Sequence, residues 1–432
     1  MRLLAAVAVI AGGLIAIGVV AAVDSPSEAQ VLPPDPVIDR VAYVTPEGEI
    51  WTVVPDGSSR SRVSPADDGF YTWPTWSPDG RTIVFSAVFG DSVENVRVEL
   101  LEADLAEGTV SSLHSGATGF VGLLAEDVVH YPIWSPDGSH LAFIAGREDG
   151  LALLLDDRGD DASPREILGD GPLWLSWSFD SRYLLAHRAQ DNILIDVGSG
   201  GTVDGYMMTR VDSLAERYRV SAWSPIDTHF AYVERDGGGD HVIIIATPEG
   251  ARTRVDRAPV IHSALSWSPD GRHLAVHGTS GITTYLGQQV ILGEGFRLYD
   301  ADGSSADLGV DDLMIAMFWS PEGSRIAYVT APDARGTLSW RLYDVATNES
   351  KLLAEFIPSG PQLVLFSFFD QYALSHSPWT SDGRRLVFSG RLWRGVVSAS
   401  QASGSQVIVL PVDIPAAAIP IADGVLAFPS PR

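Results

Sequence analysis

Trp76-Ser77-Pro78-Asp79-Gly80 recurs unchanged as Trp134-Ser135-Pro136-Asp137-Gly138 and as Trp267-Ser268-Pro269-Asp270-Gly271. Looser copies are Trp177-Ser178-Phe179-Asp180-Ser181, Trp223-Ser224-Pro225-Ile226-Asp227, Trp319-Ser320-Pro321-Glu322-Gly323 and Trp379-Thr380-Ser381-Asp382-Gly383. The seven tryptophans are spaced by 58, 43, 46, 44, 52 and 60 residues. In the three unchanged copies proline presets φ, aspartate bonds its own backbone and glycine tolerates positive φ, which makes the pentapeptide a tight turn. A short apolar run follows within a few residues, such as Thr82-Ile83-Val84-Phe85 or Leu141-Ala142-Phe143-Ile144, and reads as a strand. A repeat of about 40–50 residues holding four strands is the mark of a β-propeller.

Working outward, residues 40–63 supply three strands without an inner first one, and each of the seven motif units supplies four. A last apolar piece, Val425-Leu426-Ala427-Phe428, remains. The expected fold is therefore all-β, a single propeller of eight four-stranded blades spanning residues 38–432. The C-terminal strand would join the first blade, which leaves no open sheet edge there. Seven blades with a stray hairpin is the alternative. No segment after residue 37 shows a sustained helical period.

At the N-terminus, Leu3 to Val23 form an uncharged run of 21 residues behind Arg2. As a helix it would be about 31 Å long, enough to cross a bilayer core of about 30 Å. With Arg2 inside and Asp24 and Glu28 outside, residues 1–23 read as an N-terminal membrane anchor or a cleaved signal peptide. Residues 24–37, with four prolines, read as an extended linker. The 432-residue chain has 29 basic against 55 acidic residues, a formal charge of −26, which opposes binding to phosphate backbones. The absence of cysteine excludes disulfides, thiolate metal sites and cysteine nucleophiles.

Trp-Ser-Pro-Asp-Gly followed by an Ile/Leu-Ala-Phe-type strand resembles the WD40-like propeller repeat of TolB. The propellers of the prolyl oligopeptidase and dipeptidyl peptidase group are similar. The resemblance covers about residues 38–430. It implies the fold far more than an activity, because propellers host many functions. TolB-like proteins carry an additional N-terminal α/β domain, for which the fourteen residues after the apolar run leave no space. The peptidases carry a Gly-x-Ser-x-Gly elbow, a pattern absent from this sequence.

Ligand chemistry on such a scaffold is expected on the face opposite the Trp-Ser-Pro-Asp-Gly turns, just upstream of each tryptophan. There stand Tyr71 and Trp73, His130 and Tyr131, Trp174, Tyr218 and Arg219, His262, Met314 and His376. His130, His262 and His376 at comparable places are candidates to converge on a divalent metal, as the resemblance to oligogalacturonate lyases implies. Their offsets from the tryptophan differ, so side-chain alternation along a strand argues against it, and channel-lining hydrogen bonds are the plainer role. The most unusual connection is 355–378, with Phe368, Phe369, Asp370, Gln371 and Tyr372 ahead of His376. It reads as a plug of the channel mouth or as a recognition surface. The insert from His114 to His130 is a second candidate contact region. Acidic pairs such as Asp156-Asp157 and Asp300-x-Asp302-Gly303 fit hairpin turns better than calcium loops.

The expected function is that of a non-catalytic, extracytoplasmic interaction or scaffold propeller, with no cofactor. It would be monomeric, held to or exported across the membrane, with a protein partner in the membrane or envelope. The alternative is a channel-face ligand binder or metal-dependent enzyme.

Overall fold

The computed structural model describes residues 39–90, 95–116, 130–147, 150–159, 163–169, 174–188, 191–199, 207–211, 221–258, 263–303, 306–393 and 404–432. The expected N-terminal helix and the linker lie outside these residues, as do His262, Tyr218, Arg219 and most of the insert before His130.

The chain forms antiparallel sheets in sequence order. The first contains β1 (Val41–Val44), β2 (Ile50–Val53) and β3 (Ser61–Arg62). The second is β4 (Phe70–Trp76), β5 (Thr82–Phe89), β6 (Arg97–Asp104) and β7 (Thr109–Ser115); the third is β8 (Ile133–Trp134), β9 (His140–Arg147), β10 (Gly150–Asp157) and β11 (Arg165–Leu168). The fourth is β12 (Trp174–Trp177), β13 (Tyr183–Arg188), β14 (Asp191–Asp196) and β15 (Met207–Val211). The fifth is β16 (Ala222–Trp223), β17 (Phe230–Arg235), β18 (His241–Ala246) and β19 (Arg252–Arg257).

A ten-stranded sheet follows. It comprises β20 (Ser263–Trp267), β21 (His273–Tyr285), β22 (Gln288–Asp300), β23 (Ala306–Trp319), β24 (Arg325–Thr330), β25 (Leu338–Asp344), β26 (Glu349–Pro358), β27 (Arg385–Leu392), β28 (Gln406–Pro411) and β29 (Ile419–Asp423). It joins three repeat units because two strands run from one unit into the next. Ala306–Val310 of β23 pairs with β22, while Met314–Trp319 pairs with β24. Finally β30 (Leu426–Pro429) returns to pair with β1, Val44 facing Leu426 and Val41 facing Pro429.

The repeated turns hold themselves together. In the first, Ser77 Oγ donates to Asp79 Oδ1 at 2.6 Å and accepts from the Thr82 amide at 3.0 Å, while Gly80 takes φ +71°. The tryptophans tie units to one another, each indole N–H donating to a main-chain carbonyl one unit back. Trp177 reaches Ile133 at 3.1 Å, Trp223 reaches Ser176 at 3.1 Å, and Trp267 reaches Ala222 at 3.0 Å. Trp319 reaches Ser266 at 3.2 Å, Trp379 reaches Phe318 at 3.0 Å, and Trp76 reaches Phe428 of β30 at 3.2 Å. Trp134 departs from the series: its indole nitrogen is buried without a partner, and Arg158 lies over its ring at 5.3 Å.

Two features depart from the expected strand-only chain. Residues 360–372 contain two short helices, α1 (Gly360–Ser367) and α2 (Phe369–Tyr372). Ser359 caps α1 by accepting from the Gln362 amide at 3.1 Å, and Pro361 sits in its first turn, where no amide is needed. The helix is apolar on every side, so it has no 3.6-residue pattern to read. Because it occupies the approach to Trp379, the inner strand of the last motif unit shrinks to a single bridge, Trp379 to Leu386.

The second departure is a hairpin arm. β21 loses β20 as a neighbour at Gly278, and Gly281–Tyr285 then pairs only with Gln288–Leu292 of β22. Leu286 and Gly287 close it with φ of +50° and +83°, the sign at both positions that a two-residue type I′ turn requires. The arm alternates: Tyr285 and Val290 are buried, while Ile282, Thr284 and Leu286 are exposed. Tyr285 donates to the Gly336 carbonyl at 2.7 Å, fixing the arm over the next unit.

Candidate functional site

The segment after β26 turns inward, and almost all of its large side chains are buried. Leu363, Phe366, Phe369, Gln371 and Tyr372 are each at most 3% exposed. α1 is held at its start by Ser359, whose hydroxyl also donates to the Val425 carbonyl, and by Gln362, which accepts from the Ser389 amide at 2.9 Å. Phe366 packs edge-on to Trp340 at 5.4 Å, and Phe369 packs against Phe318 and His277 at 6.2 and 5.7 Å. Gln371 Oε1 accepts from the Leu175 amide of β12 at 3.4 Å, and its carbonyl accepts from the Tyr131 hydroxyl at 2.6 Å. One short segment thus touches motif units far apart in sequence, which is possible only where their inner strands converge.

Tyr372 and His376 complete the contact with β4. Trp73 lies between Tyr372 at 4.7 Å and Phe428 at 6.2 Å, nearly parallel to both. It does so with φ +53°, a strained value for a large L-residue, at a bulge between Thr72 and Thr75 that swings the indole inward. His376 Nε2 and Thr75 Oγ1 are hydrogen-bonded at 3.1 Å, and His376 Nδ1 and Ser375 Oγ at 2.7 Å. Burial pushes the His376 imidazole down to about 3, so it is neutral at physiological pH. Tyr131 and Tyr372 are raised by the same desolvation, so their phenols remain protonated, and that of Tyr131 donates to the Gln371 carbonyl.

Of the sequence-predicted residues, Phe369, Asp370, Gln371, Tyr372, His376 and Tyr131 come together in this cluster, with half-buried Phe368 tilted against Trp174 at 5.7 Å. They are packed as a plug: these side chains face the inner strands, not solvent. His130 belongs elsewhere. Its Nδ1 is bonded to Ser86 Oγ at 3.1 Å, and its ring lies 6.1 Å from His114 and 6.2 Å from Phe143. Burial, and secondarily the neighbouring His114, pushes it to about 3. His130 and His376 therefore each have their own partners. Among the described residues no group of three or more His, Asp or Glu side chains is placed to hold a metal. The acidic pairs serve the scaffold: Asp156 binds Arg158 at 2.5 Å, Asp157 binds His140 at 2.8 Å, and the Gly303 amide closes a turn on the Asp300 carbonyl at 2.8 Å.

Sequence reading missed Thr75, Ser375 and Gln362, whose polar atoms anchor the plug, and missed the arm. Ser359-Gly360-Pro361 was the available signal for the helix, and the 52-residue gap between Trp267 and Trp319 for the arm.

Comparison with known proteins gives the same architecture. A solved structure of dihydro-heme d1 dehydrogenase NirN aligns with a TM-score of 0.54 at 15% identity, covering 94% of this chain and 76% of that one. A eukaryotic initiation factor aligns at 0.53 and 12% identity, covering 91% and 98%. TolB from Acinetobacter baumannii aligns at 0.35 and 18% identity over 62% of each chain. The chain has a β-propeller-like fold. At these identities the likeness carries the fold and no activity. No protein-family model matches. The uncharacterized peptidase YuxL of Bacillus subtilis (strain 168) is 27% identical over 152 residues, 33% of this chain and only 20% of that protein. The match thus spans about a fifth of that relative's length.

Proposed function

We propose that this protein is a non-catalytic, extracytoplasmic interaction propeller that presents its plug-side face to a protein partner in the membrane or envelope. The observation that carries this reading is the buried plug. Leu363 to Tyr372 fill the place where the inner strands converge, so the binding surface left to the molecule is its exposed loops and hairpins. The ring is read as eight blades closed by β30. Its pairing with β1 and the Trp76 indole bond to Phe428 both support that reading. The apolar run Leu3 to Val23 supports export, either as an anchor or as a cleaved signal; among the described residues no helix is long and apolar enough to cross a membrane. No metal or cofactor is assigned in this reading.

Affinity purification of the full chain from solubilised native membranes, with mass spectrometry of what accompanies it, tests the proposal. A stoichiometric envelope protein is expected. Isolation of the chain alone would overturn it. An alkaline phosphatase fusion after Arg432 tests the compartment, activity being expected only if the domain lies outside the cytoplasm.

A further inference from the structure

The geometry points to the hairpin arm as a strand-addition site for an extended, non-acidic segment of a partner protein. This rests on the interaction reading above and names the kind of partner and the place it binds. Three independent observations converge on the arm.

The first is its charge. Gly278 to Gly293 contain no charged residue in a chain of formal charge −26. Exposed strand edges are normally guarded by charge, proline or a covering loop, and this one has none of the first two.

The second is the backbone. No described strand pairs with the outer edge of Gly281–Tyr285. In a hairpin closed by a two-residue turn the flanking pair, Tyr285 and Gln288, exchanges hydrogen bonds, and the pattern alternates from there. Ile282 and Thr284 therefore turn their N–H and C=O groups outward, toward the empty edge.

The third is Leu286. A type I′ turn favours Asn or Gly at both central positions, yet here a leucine takes φ +50° and stays 52% exposed. A strained and exposed apolar residue gains nothing from the isolated fold. Ile282, 66% exposed, and Ile291 opposite it extend the same apolar face. The inner face is fixed by buried Tyr285 and Val290, so the edge is presented by a rigid element.

An added strand satisfies the outward N–H and C=O groups and covers Ile282 and Leu286 with alternate side chains. A second copy of this chain is the poorer occupant, since two molecules of the same strong negative charge repel. Exposed Glu294 and Asp311 flank the base of the arm and favour a segment carrying basic rather than acidic flanks.

The test uses a phage-displayed library of random dodecapeptides selected on the full chain, with the enriched peptides synthesised and titrated. Enriched sequences are expected to alternate β-branched or aromatic residues with polar ones and to lack Asp and Glu. Thr284→Pro removes one outward N–H while leaving the hydrogen bonds between the arm's own strands, and is expected to weaken binding at least tenfold at an unchanged urea midpoint. Leu286→Asn keeps the edge, relieves the turn and is expected to weaken binding severalfold while raising the midpoint. Peptides that bind Thr284→Pro as tightly as the parent would overturn the assignment to this edge while leaving the interaction reading intact. No enrichment, with a concentration-dependent dimer by sedimentation that Thr284→Pro abolishes, would overturn it in favour of pairing between copies. No enrichment with a monomer would overturn it outright, and the co-purification experiment alone would then decide whether the domain has a partner.

Discussion

Acidification offers the sharpest test of the packing around the two fully buried histidines. His130 and His376 are buried and held neutral, each pushed to about 3, whereas a histidine in the unfolded chain titrates near 6.5. Below pH 6.5 the unfolded state therefore binds protons that the folded state refuses, and stability falls with pH until the folded-state value is reached. At pH 5 the gap is about 1.5 pH units, or about 2 kcal/mol for each histidine and about 4 kcal/mol for both. That is a large fraction of the roughly 5–15 kcal/mol that stabilises a typical domain. Groups that titrate alike in the parent and in a variant lacking the two histidines cancel in the comparison. Asp137 and Asp333 are lowered to about 2 and lose their contribution only as pH falls through the range from 3.8 to about 2. The assay is urea unfolding followed by tryptophan fluorescence at pH 7 and pH 5, comparing the parent with the double variant His130→Gln, His376→Gln. The parent is expected to lose about 4 kcal/mol more than the variant over this interval, whatever the variant's stability at pH 7. Equal losses, within about 1 kcal/mol, would refute the claim that both imidazoles are buried and neutral.

Three further outcomes follow from single contacts. Trp267→Phe removes an indole bonded to the Ala222 carbonyl, whereas Trp134→Phe removes one with no partner; the first should cost about 1 kcal/mol more, read from urea midpoints. Gly295→Ala should be among the most damaging substitutions, about 3–5 kcal/mol by thermal and urea unfolding: φ is +59° and a Cβ would lie 1.7 Å from the Val310 oxygen. Ser359→Ala removes the α1 cap and the bond to Val425, and should cost about 1–2 kcal/mol and raise amide exchange at Leu363 and Phe368.

The repeat could be read because tryptophan, serine, proline, aspartate and glycine each meet a local demand wherever they recur. Most of the turns keep an αL residue and most of the indoles bind a carbonyl one unit back, so the pattern can be followed even where Phe179 or Ile226 replaces a motif residue. The helix within the plug resisted reading for the opposite reason. Leu363, Val364, Leu365 and Phe366 are buried on all sides of α1, and a helix without a polar face looks like any apolar run. The candidate residues of 368–376 lie together in sequence, but whether they face solvent or the inner strands depends on contacts with Trp73, Tyr131 and Leu175, all remote in sequence. His130 and His376 stand four and three residues before the tryptophans of their units, and the structure places His376 with Thr75 and His130 with Ser86. The arm escaped notice because Leu286-Gly287 is not the Asn-Gly that ordinarily marks such a turn.

The pairing of β30 with β1 has a consequence in time. Trp76 and the carbonyl it binds on Phe428 are 352 residues apart. At a synthesis rate of about 5–20 residues per second, the first sheet waits roughly 20 to 70 s for its fourth strand. Through that interval Val41–Val44 is an open edge, available to chaperones, to export machinery or to mispairing. Until β30 emerges the earliest sheet stays incomplete, and whatever acts on the growing chain meets it with that edge unpaired.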